Sequence, residues 1–110
     1  MIYLMNSAVM PSGNYGEYLY KPANILDLKC LLKGVYGKYV SCLGYPQNAD
    51  LIEKWTGIKP EINRGEVTFY EGDRAFVIRL KKRVIDPTTK GQPVSENLDD
   101  WELAWVHFLG

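Results

Sequence analysis

The closing segment WELAWVHFL, Trp101 to Leu109, is apolar on both of its alternating faces. A strand of that kind is stable only where protein covers it on both sides, so it belongs inside a sheet rather than at an edge. The run RAFVIRLKKR, Arg74 to Arg83, alternates instead, with Phe76, Ile78 and Leu80 pointing one way and Arg79, Lys81 and Arg83 the other. The turn Glu71-Gly72-Asp73 joins this run to Glu66–Tyr70, and the pair reads as a hairpin.

The remaining elements follow from punctuation. Met1 to Asn6 is an apolar first strand that ends in polar Asn6 and Ser7, and Pro11, Gly13, Asn14 and Gly16 make a turn-rich segment before the short strand Tyr18–Tyr20. Asn24 is placed to cap a helix from Ile25 to about Lys33, with Ile25, Leu28, Leu31 and Leu32 on one face and Gly34 ending it. Tyr39–Leu43 reads as an extended run into Gly44. A second helix then starts at Pro46, carries Leu51, Ile52 and Trp55 at helical spacing, and stops at Gly57. Asp86 to Pro93, with two prolines and a glycine, is a loop. The spacing predicts an α+β fold, a mixed sheet of about five strands with two main helices.

At 110 residues the chain has room for one core, so residues 1–110 form a single domain. Thirteen basic and thirteen acidic residues cancel, leaving no global field to draw the protein onto duplex nucleic acid or an anionic membrane. The opening MIYLMNSAVMP lacks the basic region and long apolar run of a signal peptide, and no stretch approaches the roughly 20 apolar residues of a membrane span, so a cytoplasmic setting is expected. Cys30 and Cys42 sit in apolar contexts without metal-ligand spacing and read as reduced packing residues. With one histidine, His107, no zinc site is expected, nor any cofactor.

Two features carry chemistry. Same-face side chains on a strand lie about 6.5–7 Å apart, close to the phosphate spacing of a nucleotide chain. Arg79, Lys81 and Arg83 could therefore hold a short phosphodiester, with Arg64 as a further clamp and Asn63 on a base or holding the loop. The same cations could equally solvate an outer face, and Asn63-Arg64 could be only a turn. The second feature is SCLGYPQNADLIEKW, where Gly44, Tyr45 and Gln47 stand at a helix N-terminus, a place where unpaired N–H groups favour an anion. Tyr45 could stack on a base or be a half-buried aromatic, and its hydroxyl is poorly matched to proton donation at neutral pH. Trp55 and His107 read as core residues.

Taken together, YLMNSAV, SCLGY…ADLIEKWTG, INRGEV, EGDRAFVIRLKKR and ELAWVHFL resemble one family over nearly the whole chain. It is that of the viral ring nucleases, the type III anti-CRISPR proteins first known as conserved hypothetical proteins of archaeal viruses. The resemblance implies a homodimer that binds cyclic tetra-adenylate in a pocket across the two-fold axis, in a host cell's cytoplasm. It also implies metal-independent cleavage, in which a ribose 2′-hydroxyl attacks the adjacent phosphate and a histidine protonates the leaving 5′-oxygen.

The position of that histidine is Tyr45 here, and Tyr45-Pro46-Gln47 stands where the family has histidine and a helix cap. Asn6 and Ser7 match the loop lining the pocket, Arg64 a pocket arginine, and Arg79 and Arg83 positions on the long strand. Asp86 is the nearest counterpart of the family's acidic residue. These departures fall on the chemistry and spare the cations. They point to a protein that sequesters a cyclic nucleotide messenger, cyclic tetra-adenylate or another cyclic oligonucleotide; an active ring nuclease and a protein-binding inhibitor module are the alternatives.

Overall fold

The computed structural model describes residues 1–6, 16–63, 69–80 and 97–110. In chain order it has strand β1 (Ile2–Met5), β2 (Tyr18–Pro22), helix α1 (Ile25–Leu32), β3 (Val40–Ser41), helix α2 (Pro46–Thr56), β4 (Arg74–Leu80) and β5 (Trp101–Phe108), with a 3₁₀ turn at Leu98–Asp100. The strands form one mixed sheet in the order β2-β5-β4-β1-β3. The α+β architecture with two main helices is the one predicted.

The doubly apolar strand lies inside the sheet, as its pattern requires: β5 is antiparallel to β2 on one side and to β4 on the other. Of the hairpin expected before β4, Glu66–Thr68 lie outside the described residues, and Phe69 and Tyr70 belong to no described strand. β4 pairs in parallel with β1, Ile2 to Met5 opposite Arg74 to Val77, while its other edge takes β5, so no edge is left for Tyr70 beside Arg74. The turn survives in another role. Gly72 adopts φ +89° and donates its N–H to the Phe108 carbonyl at the end of β5, and Asp73 accepts the Tyr70 N–H at 2.9 Å, turning the chain into β4.

Alternation along the strands builds two apolar layers. Ile2, Leu4, Phe76, Ile78 and Leu103 face the helices and pack with Leu28 and Leu31 of α1, Leu43, and Ile52 of α2. Ala75, Val77, Val106 and Phe108 face the other way and pack with Phe69, Tyr3 and Tyr18. Trp55 lies at the edge of the helix-side core, edge-on to Trp101 with ring centroids 5.7 Å apart. Cys30 and Cys42 are not joined, and burial raises the pKa of the Cys42 thiol.

Both helices start and stop where local chemistry dictates. Asn24 accepts the Asp27 N–H and Asp27 accepts the Asn24 N–H, each at 3.0 Å, a closed capping box. Lys33 closes α1, and Gly34 follows in the left-handed region at φ +78°. Gly57, at φ +81°, ends α2. The predicted Tyr39–Leu43 strand shrinks to Val40–Ser41, and no described helix is long and apolar enough to cross a membrane.

Phe76 is fully buried between the helices and the middle of the sheet. In urea unfolding, Phe76→Ala should cost about 3–5 kcal/mol and Asn24→Ala about 1 kcal/mol. Leu26→Ala, at a position 64% exposed, should stay within about 0.5 kcal/mol.

Candidate functional site

Because β1, β3 and β4 run parallel, their carboxyl ends share one end of the sheet. Ligands of open α/β sheets gather at such ends. Three segments meet there. Cys42 donates its N–H to the Leu4 carbonyl at 2.8 Å, which fixes the β3–α2 connection beside the end of β1 and Asn6. On the other side, the Ser41 hydroxyl donates to the Glu61 carbonyl and the Asn63 N–H to the Leu43 carbonyl at 3.0 Å, so the 61–63 segment lies along the same connection. Asn6, Gly44, Tyr45, Gln47 and Asn63 are thereby brought to one end of the fold.

Tyr45 is the N-cap of α2, in extended conformation (φ −124°, ψ 126°), and its side chain makes no capping hydrogen bond. Pro46 at the first helical position has no N–H, and the Asn48 N–H goes to the Tyr45 carbonyl at 3.1 Å. That leaves the Gln47 N–H as the first-turn donor without a partner inside the helix. No acidic residue occupies the first turn, so nothing there opposes an approaching anion. Gly44 is not in the left-handed region; its backbone alone does not demand glycine. Among the described residues, Gln47 Oε1 is a buried side-chain oxygen with no hydrogen-bond partner. An acceptor left in that condition costs free energy until a donor reaches it.

The strand arginine is placed elsewhere. Arg79 follows the parity of Ala75 and Val77 and so lies on the sheet face away from the helices. Its Nη2 is 3.0 Å and its Nε 3.1 Å from Glu102 Oε2, and its guanidinium sits 5.9 Å from the centroid of the Tyr20 ring. Tyr20 in turn donates its hydroxyl to Glu102 Oε1 at 2.9 Å. Both partners lie on β5 and β2, away from α2. The carboxylate that engages Arg79 comes from a strand 23 residues further on, and only the pairing register brings it within reach. Ser7, Arg64, Lys81, Arg83 and Asp86 lie outside the described residues, as does the Asp86–Pro93 loop.

His107, read from the sequence as a core histidine, is partly exposed. It stands directly across from Arg74 of β4, on the helix-bearing face and at the opposite end of the sheet from Gln47. Burial, then the charges of Arg74 and Lys21, hold its imidazole below the usual histidine range. The alternation of Trp105 and His107 is visible in the sequence; which cations face them is set by cross-strand register and is not.

The class these features define is a small α+β protein whose polar residues Asn6, Tyr45, Gln47 and Asn63 gather at the carboxyl ends of parallel strands and at a helix N-terminus. A model of the STIV B116-like family matches residues 2–102, and the chain belongs to that family. Relatives come from archaeal viruses. The chain is 25% identical over 87 residues to the uncharacterized ORF117 protein of Acidianus two-tailed virus, across 78% of this chain and 74% of that one. Its fold is similar to that of B116 of Sulfolobus turreted icosahedral virus, with a TM-score of 0.71 and 21% identity over 96% of this chain and 97% of that one.

If Gln47 Oε1 is an acceptor held in reserve for a ligand, removing it should not harm the free protein. Gln47→Met should leave the stability of the unliganded protein unchanged or raise it by up to about 1 kcal/mol in thermal unfolding. A loss larger than that would mean the amide serves the fold.

Proposed function

We propose that this protein binds and sequesters a cyclic oligonucleotide messenger, with cyclic tetra-adenylate the leading candidate, and so blocks CRISPR-type or related immune signalling. The observation that carries this reading is the orphaned Gln47 Oε1 at the α2 N-terminus. A glutamine amide can pair with adenine by accepting from the exocyclic amine and donating to the ring nitrogen. The adjacent helix start favours a phosphate. Asn6 and Asn63 add neutral hydrogen-bonding groups at the same end, and Arg64 and Arg83 are the cations assigned to the phosphates. Arg79, held by Glu102, contributes less to the ligand than those two.

Sequestration rather than cleavage follows from the N-cap. The resemblance to ring nucleases puts a histidine general acid where Tyr45 stands. Loss of a general acid costs about 10²–10⁴-fold in rate, while contacts to phosphate and base persist. The ligand is a ring with repeated, symmetry-related groups, so it suits a pocket that two copies of the chain build across a two-fold axis. Each copy then supplies one α2 N-terminus.

The protein should be mixed with cyclic tetra-adenylate and a panel of cyclic di- and trinucleotides, and the bound material released by heat and chromatographed. The expected result is one species recovered intact, with binding weakened by salt and abolished by Arg64→Ala and by Arg83→Ala. A linear product, accelerated by Tyr45→His, would replace sequestration by ring cleavage. Indifference to the whole panel would overturn nucleotide binding and favour a protein partner.

A further inference from the structure

Far from the α2 N-terminus, the amino end of β4 carries a second group of charged and aromatic side chains, drawn from three strands and a turn. Arg74 stands across from His107, Leu19 of β2 flanks His107 on its other side, and Lys21 of β2 is paired with Trp105. By strand parity all of them share the helix-bearing face. The Arg74 guanidinium lies 5.4 Å from the Trp105 ring centroid. Trp105 is fixed from below by Phe76, edge-on at 5.0 Å. Above it Tyr36, 37% exposed on the turn after α1, meets it edge-on at 5.4 Å.

What distinguishes this group is its charge. Among the described residues no carboxylate forms an ion pair with Arg74 or Lys21, whereas Arg79 on the opposite face has Glu102. Asp27 of α1, whose charge is felt at Tyr36, already accepts the Asn24 N–H. Among the described residues, two permanent cations and a partly buried imidazole thus share one surface without a paired carboxylate, and their mutual repulsion is relieved when an anion joins them.

We propose that Lys21, Arg74 and His107 form a second anion site that takes the phosphate of a nucleotide, whose base packs against Tyr36 and the edge of Trp105. A free mononucleotide and a short single strand offer the same chemistry. Guanidinium and ammonium bind the phosphate oxygens, and a tyrosine ring is a stacking surface for any base. The site stands apart from the one at the α2 N-terminus and does not depend on it.

His107 makes the site self-reporting, because the chain has one histidine. In the free protein burial, Arg74 and Lys21 disfavour its protonated form. A bound phosphate replaces repulsion with attraction, so binding takes up a proton and strengthens as pH falls through the imidazole range. The imidazole proton signals should be titrated by NMR on the whole chain, alone and with inorganic phosphate, adenosine 5′-monophosphate or a short single-stranded oligoadenylate.

The expected result is a rise in the His107 midpoint of about one pH unit, larger for the nucleotide or the strand than for inorganic phosphate. Whichever of those two acts at the lower phosphate concentration identifies the source. Lys21→Gln, at an exposed position, and Arg74→Gln should each diminish the rise. Arg64→Ala, which tests the other site, should leave it intact. Equal rises with inorganic phosphate and nucleotide would remove the base from the proposal, and no rise with any of the three would overturn the site.

Discussion

Everything else in the fold is arranged around the four residues Ala75 to Ile78 of β4, each no more than 1% exposed. Their backbone is hydrogen-bonded on both edges, by β1 in parallel and β5 antiparallel, and their side chains are buried on both faces. Burying the Phe76, Val77 and Ile78 side chains contributes about 1.5–3 kcal/mol each, and the stretch is flanked by β5 throughout and by β1 as far as Val77. Because β1 is locked to β4, β3 is placed beside β1, and the β3–α2 connection must emerge where β1 ends. The position of the α2 N-terminus is therefore a consequence of the central strand.

That dependence explains which parts were legible in the sequence. Elements whose signals are local were readable almost to the residue: the Asn24 cap, Pro46 at the start of α2, Gly57 at its end, and the doubly apolar Trp101–Phe108. The partner of β4 beside Arg74 was not legible, because a glycine turn between two β-rich runs specifies only that the chain reverses. It does not say that the run before the turn wins the edge, and here β1, from the other end of the chain, has it.

The sites divide along the same line. Gly44, Tyr45 and Gln47 form one contiguous stretch, and their gathering at a helix start could be read directly. The engagement of Arg79 by Glu102 and Tyr20, and the meeting of Lys21, Arg74, Trp105 and His107, arise from register across three strands. A run of alternating cations shows which residues share a face; it does not show which carboxylate a partner strand brings to that face. His107 was placed in the core because its sequence neighbours are apolar, yet those neighbours alternate away from it and the residues beside it in space are charged.

A family of archaeal-virus relatives, a helix start free of acidic residues and a buried amide oxygen without a partner among the described residues support the proposal of a pocket that holds a cyclic oligonucleotide and lacks the acid to destroy it. Its most direct test is native mass spectrometry of the protein with cyclic tetra-adenylate at near-stoichiometric concentration. The account predicts an ion of two chains carrying one intact ring, stable over hours of incubation. A single chain binding alone, a bound mass of linear fragments, or a spectrum unchanged by the nucleotide would contradict it.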